Sequence, residues 1–287
     1  MALLAHTLSL LAMTVATVAI EVFPLNMCDD SFDDQYRGCG PAMTAALPAL
    51  SRSDFQKNPL FAWVWPKAEA EWKKRGSPLS PLSSPDQAIA IMAYTMLDVY
   101  KDFNNAMQVA GRSPQEYRDN FHFKTFHFLL TQALVTLRDT RGPQCHDVFR
   151  GVRRYRFKAQ RGETVRFGRF TSTSLNNETA LCFGTNMVLQ VHTCHGVDIQ
   201  NFSMHPWEEE VLIPPFETFM VTNVTEDRKT LRIHLHSKGN YSKYNCEWLK
   251  GNTTKDSLQG GSIPMAPYDL GGLLLATSAL AVATGIL

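Results

Sequence analysis

Hydrophobic residues repeat at helical spacing in two segments that precede residue 145. The first contains Ile89, Met92, Ala93, Met96, Leu97 and Tyr100, and the second contains Phe126, Leu129, Leu130, Ala133, Leu134 and Leu137. Recurrence at this spacing predicts two amphipathic helices. The sequence Ser-Pro-Asp-Gln at 84–87 predicts the start of the first helix, because serine caps a helix and proline fits its first turn. Gly142 and Pro143 predict the end of the second.

From Cys145 onward the apolar segments become short and are separated by turn residues. They are DVFRGVRRYRF, ETVRFGRFTSTSL, NMVLQVHTC, EEEVLIPPF, TFMVTNVTE and TLRIHLHSK. Such segments are typical of antiparallel strands. Helices followed by strands, without βαβ alternation, predict an α+β fold. The chain contains no GxGxxG and no Walker loop, so a nucleotide would have to bind without a Rossmann or P-loop cradle.

Both ends of the chain have the composition of processing signals. Residues 1–20 contain an apolar run and no Lys, Arg, Asp or Glu, which predicts a secretory signal peptide that lacks the usual basic start. A buried N-terminal helix is the alternative. Residues 270–287 are uncharged and lack flanking basic residues, which favours a GPI-attachment signal over a membrane span. The expected organisation is a signal peptide at 1–20, one domain at 21–260 and a GPI propeptide at 261–287.

Sequons, cysteines and charge agree with export. Glycosylation sequons occur at Asn177, Asn201, Asn223, Asn240 and Asn252. The 6 cysteines include no CxxC pair, which disfavours zinc and favours disulfides in an oxidising compartment, while the pairing stays open. A net charge of +1 gives no field for holding nucleic acid, so nucleic acid is not an expected partner.

Three consecutive glutamates precede an apolar strand segment. On an extended backbone Glu208 and Glu210 point to one face and Glu209 to the other. Two carboxylates on one face suit cleavage of a glycosidic bond, where one stabilises the cationic transition state and the other handles a proton. A solvated acidic turn explains this segment alone equally well.

Two other segments carry candidate chemistry. Arg150 follows an apolar strand and could grip phosphate bidentately, while Gly151 would let a ligand approach the backbone. The hydroxyls at 171–174, Ser172 among them, could orient a carboxylate or a ribose. In isolation, a surface ion pair and ordinary strand propensity explain these residues more simply. His234 and His236 share a strand face, but no third metal ligand is evident nearby, so they are interpreted as structural.

Together these motifs resemble the vertebrate GPI-anchored arginine-specific mono-ADP-ribosyltransferases, whose signature is an Arg, an STS serine and an ExE pair. The chain has these in order, as Arg150, Ser172, Glu208 and Glu210. Longer matching phrases are SFDDQYRGC at 31–39, FHFLLTQAL at 126–134, VFRGV at 148–152 and EEEVLIPPFE at 208–217. The resemblance spans roughly residues 25 to 250.

The resemblance implies a fold and an activity. The fold is a helical N-terminal half packed on two antiparallel sheets, with an NAD cleft between them. The activity is transfer of ADP-ribose from NAD to arginine side chains of other proteins, without a metal. This protein itself would be displayed at the cell surface or, alternatively, secreted. Two alternatives remain: an NAD glycohydrolase on the same scaffold, and a silent GPI-anchored binding protein. The retained Glu208 speaks against the first, and the intact signature speaks against the second.

The resemblance also implies a role for each signature residue. Arg150 would clamp NAD, with the Gly151 backbone facing the nicotinamide amide. Ser172 would position the catalytic carboxylate of Glu210, which holds the nicotinamide ribose and stabilises its cationic transition state. Glu208 would orient the acceptor guanidinium and help to remove its proton.

The resemblance further suggests an aromatic contact and two disulfides. Phe183 would pack on NAD. The disulfides would join Cys39 to Cys246 and Cys145 to Cys194. Cys28 and Cys182 depart from the family pattern, and either pair with each other or stay free.

Overall fold

A computed structural model describes residues 20–256 of the chain. The predicted signal peptide, apart from Ile20, and the predicted GPI propeptide lie outside these residues. Among the described residues, none of the helices has both the length and the apolar character needed to cross a membrane.

The first half of the described chain is helical, as the hydrophobic spacing predicts. Its helices are α1 Gly40–Lys57, α2 Pro59–Lys74, α3 Pro85–Thr95, α4 Tyr100–Ala110, α5 Pro114–Asn120 and α6 Lys124–Arg141. The Ser84 side chain caps α3 by accepting a hydrogen bond from the backbone of Gln87, and α6 ends at Gly142 as expected. The first predicted helix is too long, because the chain becomes extended at Met96 and Tyr100 opens the next helix.

The second half contains most of the strands. The strands are β1 Glu21–Pro24, β2 His146–Val152, β3 Tyr155–Lys158, β4 Thr164–Arg166, β5 Thr171–Ser174, β6 Met187–Thr193, β7 Val197–Asp198, β8 Glu210–Ile213, β9 Glu217–Asp227 and β10 Thr230–Asn240. Two helices accompany them, α7 Asn177–Cys182 and α8 Glu247–Asp256. Single 3₁₀ turns lie at Gln200–Phe202 and Pro206–Glu208.

The α+β class is confirmed, but the strands are arranged differently from two antiparallel sheets. Eight strands form one sheet in the order β4-β9-β10-β6-β2-β5-β8-β7, and β1 pairs with β3 separately. Both β1–β3 and β6–β10 are parallel. One residue pair, Phe149 with Ser174, joins β2 to β5, so the large sheet consists of a five-strand part and a three-strand part. Strand composition does not encode the pairing partner, which is why the parallel pairs were missed.

Two hydrophobic cores meet along β8. The helices build one core, which includes Leu212 of β8 and Phe170 just before β5. The strands build the other, which includes Val211 and Ile213. Because side chains alternate along a strand, Glu210 shares the face of Leu212 and points toward the helical half. The signature carboxylate is therefore placed at the boundary between the two halves.

The segment at 31–39 joins the N-terminal region to the second half of the described chain through buried polar contacts. Arg166 and Asp33 form an ion pair that is fully buried. The Asp34 carboxylate accepts hydrogen bonds from the backbone of Tyr36, Cys246 and Glu247. Burial raises the pKa of Asp34, and these hydrogen bonds oppose that rise. The phrase at 31–39, which matches the family, thus has a structural role.

Both disulfides that the resemblance suggested are present. Cys39 joins Cys246, and Cys145 joins Cys194. Cys28 and Cys182 are free thiols, which resolves the choice that the sequence left open.

Candidate active site

A cleft opens between the helical half and strands β2, β5 and β8. The signature residues line it together with the two expected cofactor contacts: Arg150, Gly151, Ser172, Phe183, Glu208 and Glu210. Residues that are far apart in the sequence are thus brought to one site.

Arg150 lies on β2 and is anchored to the neighbouring strand. Its Nη1 donates a hydrogen bond of 2.6 Å to the backbone carbonyl of Ser172. A guanidinium has five N–H donors, so this anchor fixes the side chain and leaves donors for an anionic ligand.

Gly151 is required by the packing of α7. A Cβ at this position would collide with the carbonyl oxygens of Ala180 and Gly184. The sequence suggested that the glycine lets a ligand approach the backbone, whereas in the structure the space that a Cβ would fill is occupied by the backbone of α7 and of Gly184. Phe183, which caps α7, is thereby held at the mouth of the cleft, with 54% of its surface exposed.

Glu210 is a buried carboxylate at the base of the cleft. It opens β8, where the antiparallel ladder with β5 pairs it with Ser174. Burial raises its pKa from the ordinary 4.5 to about 7, while a hydrogen bond from the Ser172 side chain and the charge of Arg150 oppose this rise. The charge of Glu208 adds to the rise. Near neutral pH, Glu210 is therefore poised between its two protonation states.

Glu208 reaches the cleft from a turn rather than from a strand. It ends the 3₁₀ turn Pro206–Glu208, and Glu209 then adopts a left-handed conformation with φ 47°. The expectation of one extended strand through both glutamates is wrong, because proline starts a turn just before them. Both carboxylates nevertheless line the same cleft. Burial raises the pKa of Glu208, and the charge of His205 opposes this.

Two residues that the sequence did not single out help to build the site. The Ser174 hydroxyl donates a hydrogen bond of 2.7 Å to the backbone carbonyl of Glu208, so it ties the turn to β5. Tyr94 lines the cleft and donates to the carbonyl of Phe170 at 2.9 Å. Burial raises the pKa of Tyr94 to about 12, so the phenol stays protonated. The hydroxyl run at 171–174 was a usable signal for Ser174, but nothing in the helical pattern pointed to Tyr94.

The helical half holds the loop that precedes Glu208. Arg75, at the end of α2, donates hydrogen bonds to the backbone carbonyls of Ser203 at 2.7 Å and Met204 at 3.1 Å. The Thr95 hydroxyl accepts a hydrogen bond of 2.8 Å from the backbone of Met204. These contacts set the position from which Glu208 enters the cleft.

The outer rim near Glu208 is aromatic. Trp207 is 68% exposed and packs edge-on against His205, with ring centroids 5.1 Å apart. Because His205 lines the cleft, the more exposed carboxylate of Glu208 lies beside a surface that a larger molecule can reach. The site thus combines a buried carboxylate and an anchored guanidinium inside with a second carboxylate near the rim.

Comparisons with known proteins agree on one family. The model of the family NAD:arginine ADP-ribosyltransferase matches residues 25–243. The chain is 49% identical over 229 residues to NAD(P)(+)--arginine ADP-ribosyltransferase 2 of Gallus gallus, covering 79% of this chain and 73% of that protein. It is 44% identical over 248 residues to GPI-linked NAD(P)(+)--arginine ADP-ribosyltransferase 1 of Homo sapiens, covering 80% and 76%. A mutant of the eukaryotic mono-ADP-ribosyltransferase ART2.2, solved in complex with NAD, has 33% identity and a TM-score of 0.66, covering 79% of this chain and 98% of that one.

Proposed function

Because this chain belongs to the NAD:arginine ADP-ribosyltransferase family, we propose that its cleft performs the family's reaction through Arg150, Ser172, Glu208 and Glu210. The chain has the ADP-ribosyltransferase fold and uses NAD as co-substrate to modify arginine, with release of nicotinamide. The observation that carries the residue assignment is the buried carboxylate of Glu210, held between Ser172 and Arg150 at the base of the cleft.

Glu210 acts on the bond that breaks. As the bond between nicotinamide and the ribose C1′ opens, its electron pair leaves with nicotinamide and positive charge develops on the ribose. A fixed carboxylate stabilises that charge strongly in a site with little water. Ser172 orients the carboxylate through the hydrogen bond between their side chains.

Glu208 acts on the acceptor. A guanidino nitrogen of the target arginine attacks C1′ and must lose a proton, because the substituted guanidinium would otherwise carry two positive charges. The Glu208 carboxylate, nearer the rim, holds the guanidinium and takes that proton. Its pKa, raised by burial, makes it a better proton acceptor than an ordinary surface glutamate.

Arg150, Gly151 and Phe183 bind the rest of NAD. The donors of Arg150 that do not contact Ser172 clamp the phosphates, since a guanidinium matches their geometry bidentately. The Gly151 backbone faces the nicotinamide amide, and the exposed ring of Phe183 packs on NAD at the cleft mouth. The protein acceptors are arginines presented to the rim near Glu208.

The experiment that tests this division compares three neighbouring glutamates. Purified wild type, Glu208→Gln, Glu209→Gln and Glu210→Gln are given labelled NAD and agmatine, and both nicotinamide release and ADP-ribosyl-agmatine are measured. Glu210→Gln should abolish both products. Glu208→Gln should reduce transfer by about 100-fold, typical of a lost general base, while NAD hydrolysis persists. Glu209→Gln is the matched control, since Glu209 faces Asn176 rather than the cleft, and should retain both activities.

Parallel loss of both activities in Glu208→Gln and Glu210→Gln would overturn the separate roles. Hydrolysis without transfer in the wild type would favour the NAD glycohydrolase, and absence of both products would favour the silent binding protein.

Cell-surface display through a GPI anchor is the location that we propose. The relative from Homo sapiens is named as GPI-linked, and the two disulfides suit an oxidising compartment. Four predicted glycosylation sites, Asn177, Asn201, Asn223 and Asn240, are exposed, while the side chain of Asn252 lies outside the described residues.

Treatment of intact cells with phosphatidylinositol-specific phospholipase C tests the anchor. The protein should appear in the medium, because the C-terminal segment lacks the basic residues that hold a membrane span. A known GPI-anchored protein on the same cells verifies the treatment. Retention on the cells would indicate a transmembrane helix, and secretion without treatment would indicate the soluble alternative.

A further inference from the structure

The short helix α7 forms one edge of the cleft. Just before its start, the Leu175 backbone donates a hydrogen bond of 3.0 Å to the carbonyl of Glu209, and the Asn176 side chain lies 3.5 Å from the Glu209 carboxylate. Further along, Ala180 and Phe183 line the cleft. The six residues of α7 span about 9 Å. The helix therefore runs along the cleft from the turn before β8 to the mouth.

The start of α7 is fixed relative to Glu208. The Asn176 side chain caps the helix by accepting hydrogen bonds from the backbone of Glu178 at 2.9 Å and Thr179 at 3.3 Å. The Asn176 backbone donates to the Ser174 hydroxyl at 3.0 Å, and that hydroxyl donates to the carbonyl of Glu208 at 2.7 Å. The first residue of the helix is therefore held beside the turn that carries Glu208.

This first residue is Asn177, the asparagine of a glycosylation sequon that Thr179 completes. Its side chain is exposed. Asn177 lies three residues before Ala180, and residues at this spacing are neighbours on one side of a helix. Because Ala180 lines the cleft, a group attached to Asn177 lies on the cleft side of α7. An asparagine-linked glycan is bulky and hydrophilic, so it would occupy the space at the rim beside Glu208.

We infer that a glycan on Asn177 selects the acceptor: it excludes the broad surfaces of folded proteins and admits arginines in flexible or projecting segments. The inference rests on the proposed function, in which Glu208 holds the acceptor guanidinium. Glu208 is half-buried, so the chain that presents the arginine must approach the rim closely. A flexible segment can pass beside the sugar, whereas a globular surface collides with it. Such a clash discriminates between acceptors without any new attractive contact.

A second sequon separates position from bulk. Asn223 is also exposed, but it lies on β9, and β10 and β6 stand between β9 and β2. Three strand spacings amount to about 14 Å of sheet between Asn223 and the strand that carries Arg150. A glycan on Asn223 gives the protein the same kind of bulk and solubility without standing beside Glu208. Its removal is therefore the matched control.

Substitutions at Thr179 change the glycan without changing Asn177. Thr179→Ala destroys the sequon, whereas Thr179→Ser keeps it, and both shorten the same side chain. The hydrogen bond from Thr179 to the cap uses its backbone, so both variants retain it. Wild type, these two variants and Asn223→Gln are secreted from mammalian cells, and mass spectrometry of their peptides measures glycan occupancy at both asparagines.

Three acceptors then separate access from chemistry: agmatine, folded lysozyme with its disulfides intact, and the same lysozyme after reduction and carboxamidomethylation. The two forms of lysozyme present the same arginines on a folded and on an unfolded chain. Thr179→Ala should raise transfer to folded lysozyme by about fivefold or more, and should change transfer to the unfolded form and to agmatine by less than about twofold. Thr179→Ser and Asn223→Gln should behave as wild type with all three acceptors.

Digestion of the folded wild type with peptide-N-glycosidase F removes glycans after folding and should reproduce the result of Thr179→Ala, even if that variant is not secreted. An unglycosylated Asn177 in the wild type, an unchanged ratio of folded to unfolded lysozyme modification after loss of its glycan, or the same change in Asn223→Gln would each overturn the inference. Failure of the proposed function is distinguishable, because the wild type would then not modify agmatine, and the inference would fall with it.

Discussion

In the proposed mechanism, the charge of Glu210 is the feature on which catalysis depends most. Its carboxylate is buried beside Arg150 and Ser172, and burial is the dominant cause that brings its pKa to about 7. Only the ionised form can stabilise a cationic ribose, so protonation removes the function without changing the fold. The same burial that strengthens the carboxylate's electrostatic effect therefore makes it sensitive to acid.

The first residue-scale prediction concerns activity against pH. The kcat/KM for NAD should fall as pH decreases through about 7, because Glu210 becomes protonated in the free enzyme. Nicotinamide release measured at low NAD concentration reports this profile, and Glu209→Gln should share it. A profile that stays flat down to about pH 5 would contradict the raised pKa.

Stability should show the opposite trend at the same residue. Because the pKa of Glu210 is higher in the folded state than in the unfolded state, protonation of Glu210 contributes to the free energy of unfolding. This contribution is complete below about pH 4.5 and is lost as pH rises through about 7. Glu210→Gln should therefore be more stable than wild type at about pH 8, by up to about 3 kcal/mol, and the difference should vanish in acid. Urea unfolding at several pH values measures this, and a constant difference would point to packing instead.

The signature residues could be predicted from sequence, but their backbone setting could not. Arg150, Ser172, Glu208 and Glu210 were identified by order and by the phrases around them. The sequence placed Glu208 and Glu210 on one face because side chains alternate along a strand. In the structure they are instead related by a 3₁₀ turn and the left-handed backbone of Glu209. Ser174 lay within the hydroxyl run at 171–174 but was not singled out, and Tyr94 was missed because its contribution is a contact to a backbone carbonyl, which no local pattern reveals.

At the scale of elements, the loop between β7 and β8 determines where Glu208 lies. Besides the backbone hydrogen bonds of its two 3₁₀ turns, this loop is held by Arg75 and Thr95 from the helical half. A hydrogen bond from a charged group to a carbonyl is worth about 1.5–3 kcal/mol, so Arg75 is its strongest support. In the proposed mechanism, Arg75 and Thr95 therefore act on the acceptor chemistry through the position of Glu208.

Arg75→Ala should accordingly reduce transfer to agmatine by about tenfold while changing NAD hydrolysis much less, because the loop carries Glu208 and not Glu210. Lys74→Ala is the matched control: Lys74 also pairs with Glu71, but it is 78% exposed and does not donate to the loop. The ratio of ADP-ribosyl-agmatine to free ADP-ribose measures the effect. An equal loss of both products in Arg75→Ala would indicate general destabilisation instead.

Helices could be predicted where the hydrophobic spacing was continuous and the end signals were clear. The start of α3 and the whole of α6 follow from hydrophobic spacing and end signals. In contrast, α1 and α2 contain Pro48 and Pro66 within their length, and proline normally argues against a helix interior. The β6–β10 pair joins segments separated by β7, β8 and β9, so its parallel direction is a property of the tertiary fold.

At the scale of the whole molecule, both ends of the described chain are held together. Asp33 and Asp34 near the N-terminus bind the backbone of residues 243–247, and Cys39 is bonded to Cys246 in the same region. The helical half and the strand half are thus closed into one unit around the cleft. The second disulfide closes a shorter loop, from the start of β2 to the end of β6.

Loop length predicts how much each disulfide stabilises the protein. The Cys39–Cys246 bridge spans 207 residues and the Cys145–Cys194 bridge spans 49. If cross-links act by restricting the unfolded chain, the first should contribute about 5 kcal/mol and the second about 4 kcal/mol to the free energy of unfolding. Double Cys→Ser variants of each pair, unfolded in urea without reductant, measure the two contributions. Cys182→Ser is the control, because it removes a free thiol and should change little.

If the bridges act by restricting the unfolded chain, the bridge that closes the longer loop should contribute more to the free energy of unfolding than the other. The network around Asp34 remains when the Cys39–Cys246 bridge is removed, so the folded state should persist and the loss should come from the unfolded chain. Transfer to agmatine under native conditions should then survive in that variant, with lower resistance to urea. A larger loss from the shorter loop, or loss of activity without urea, would show that the bridges act through contacts in the folded state.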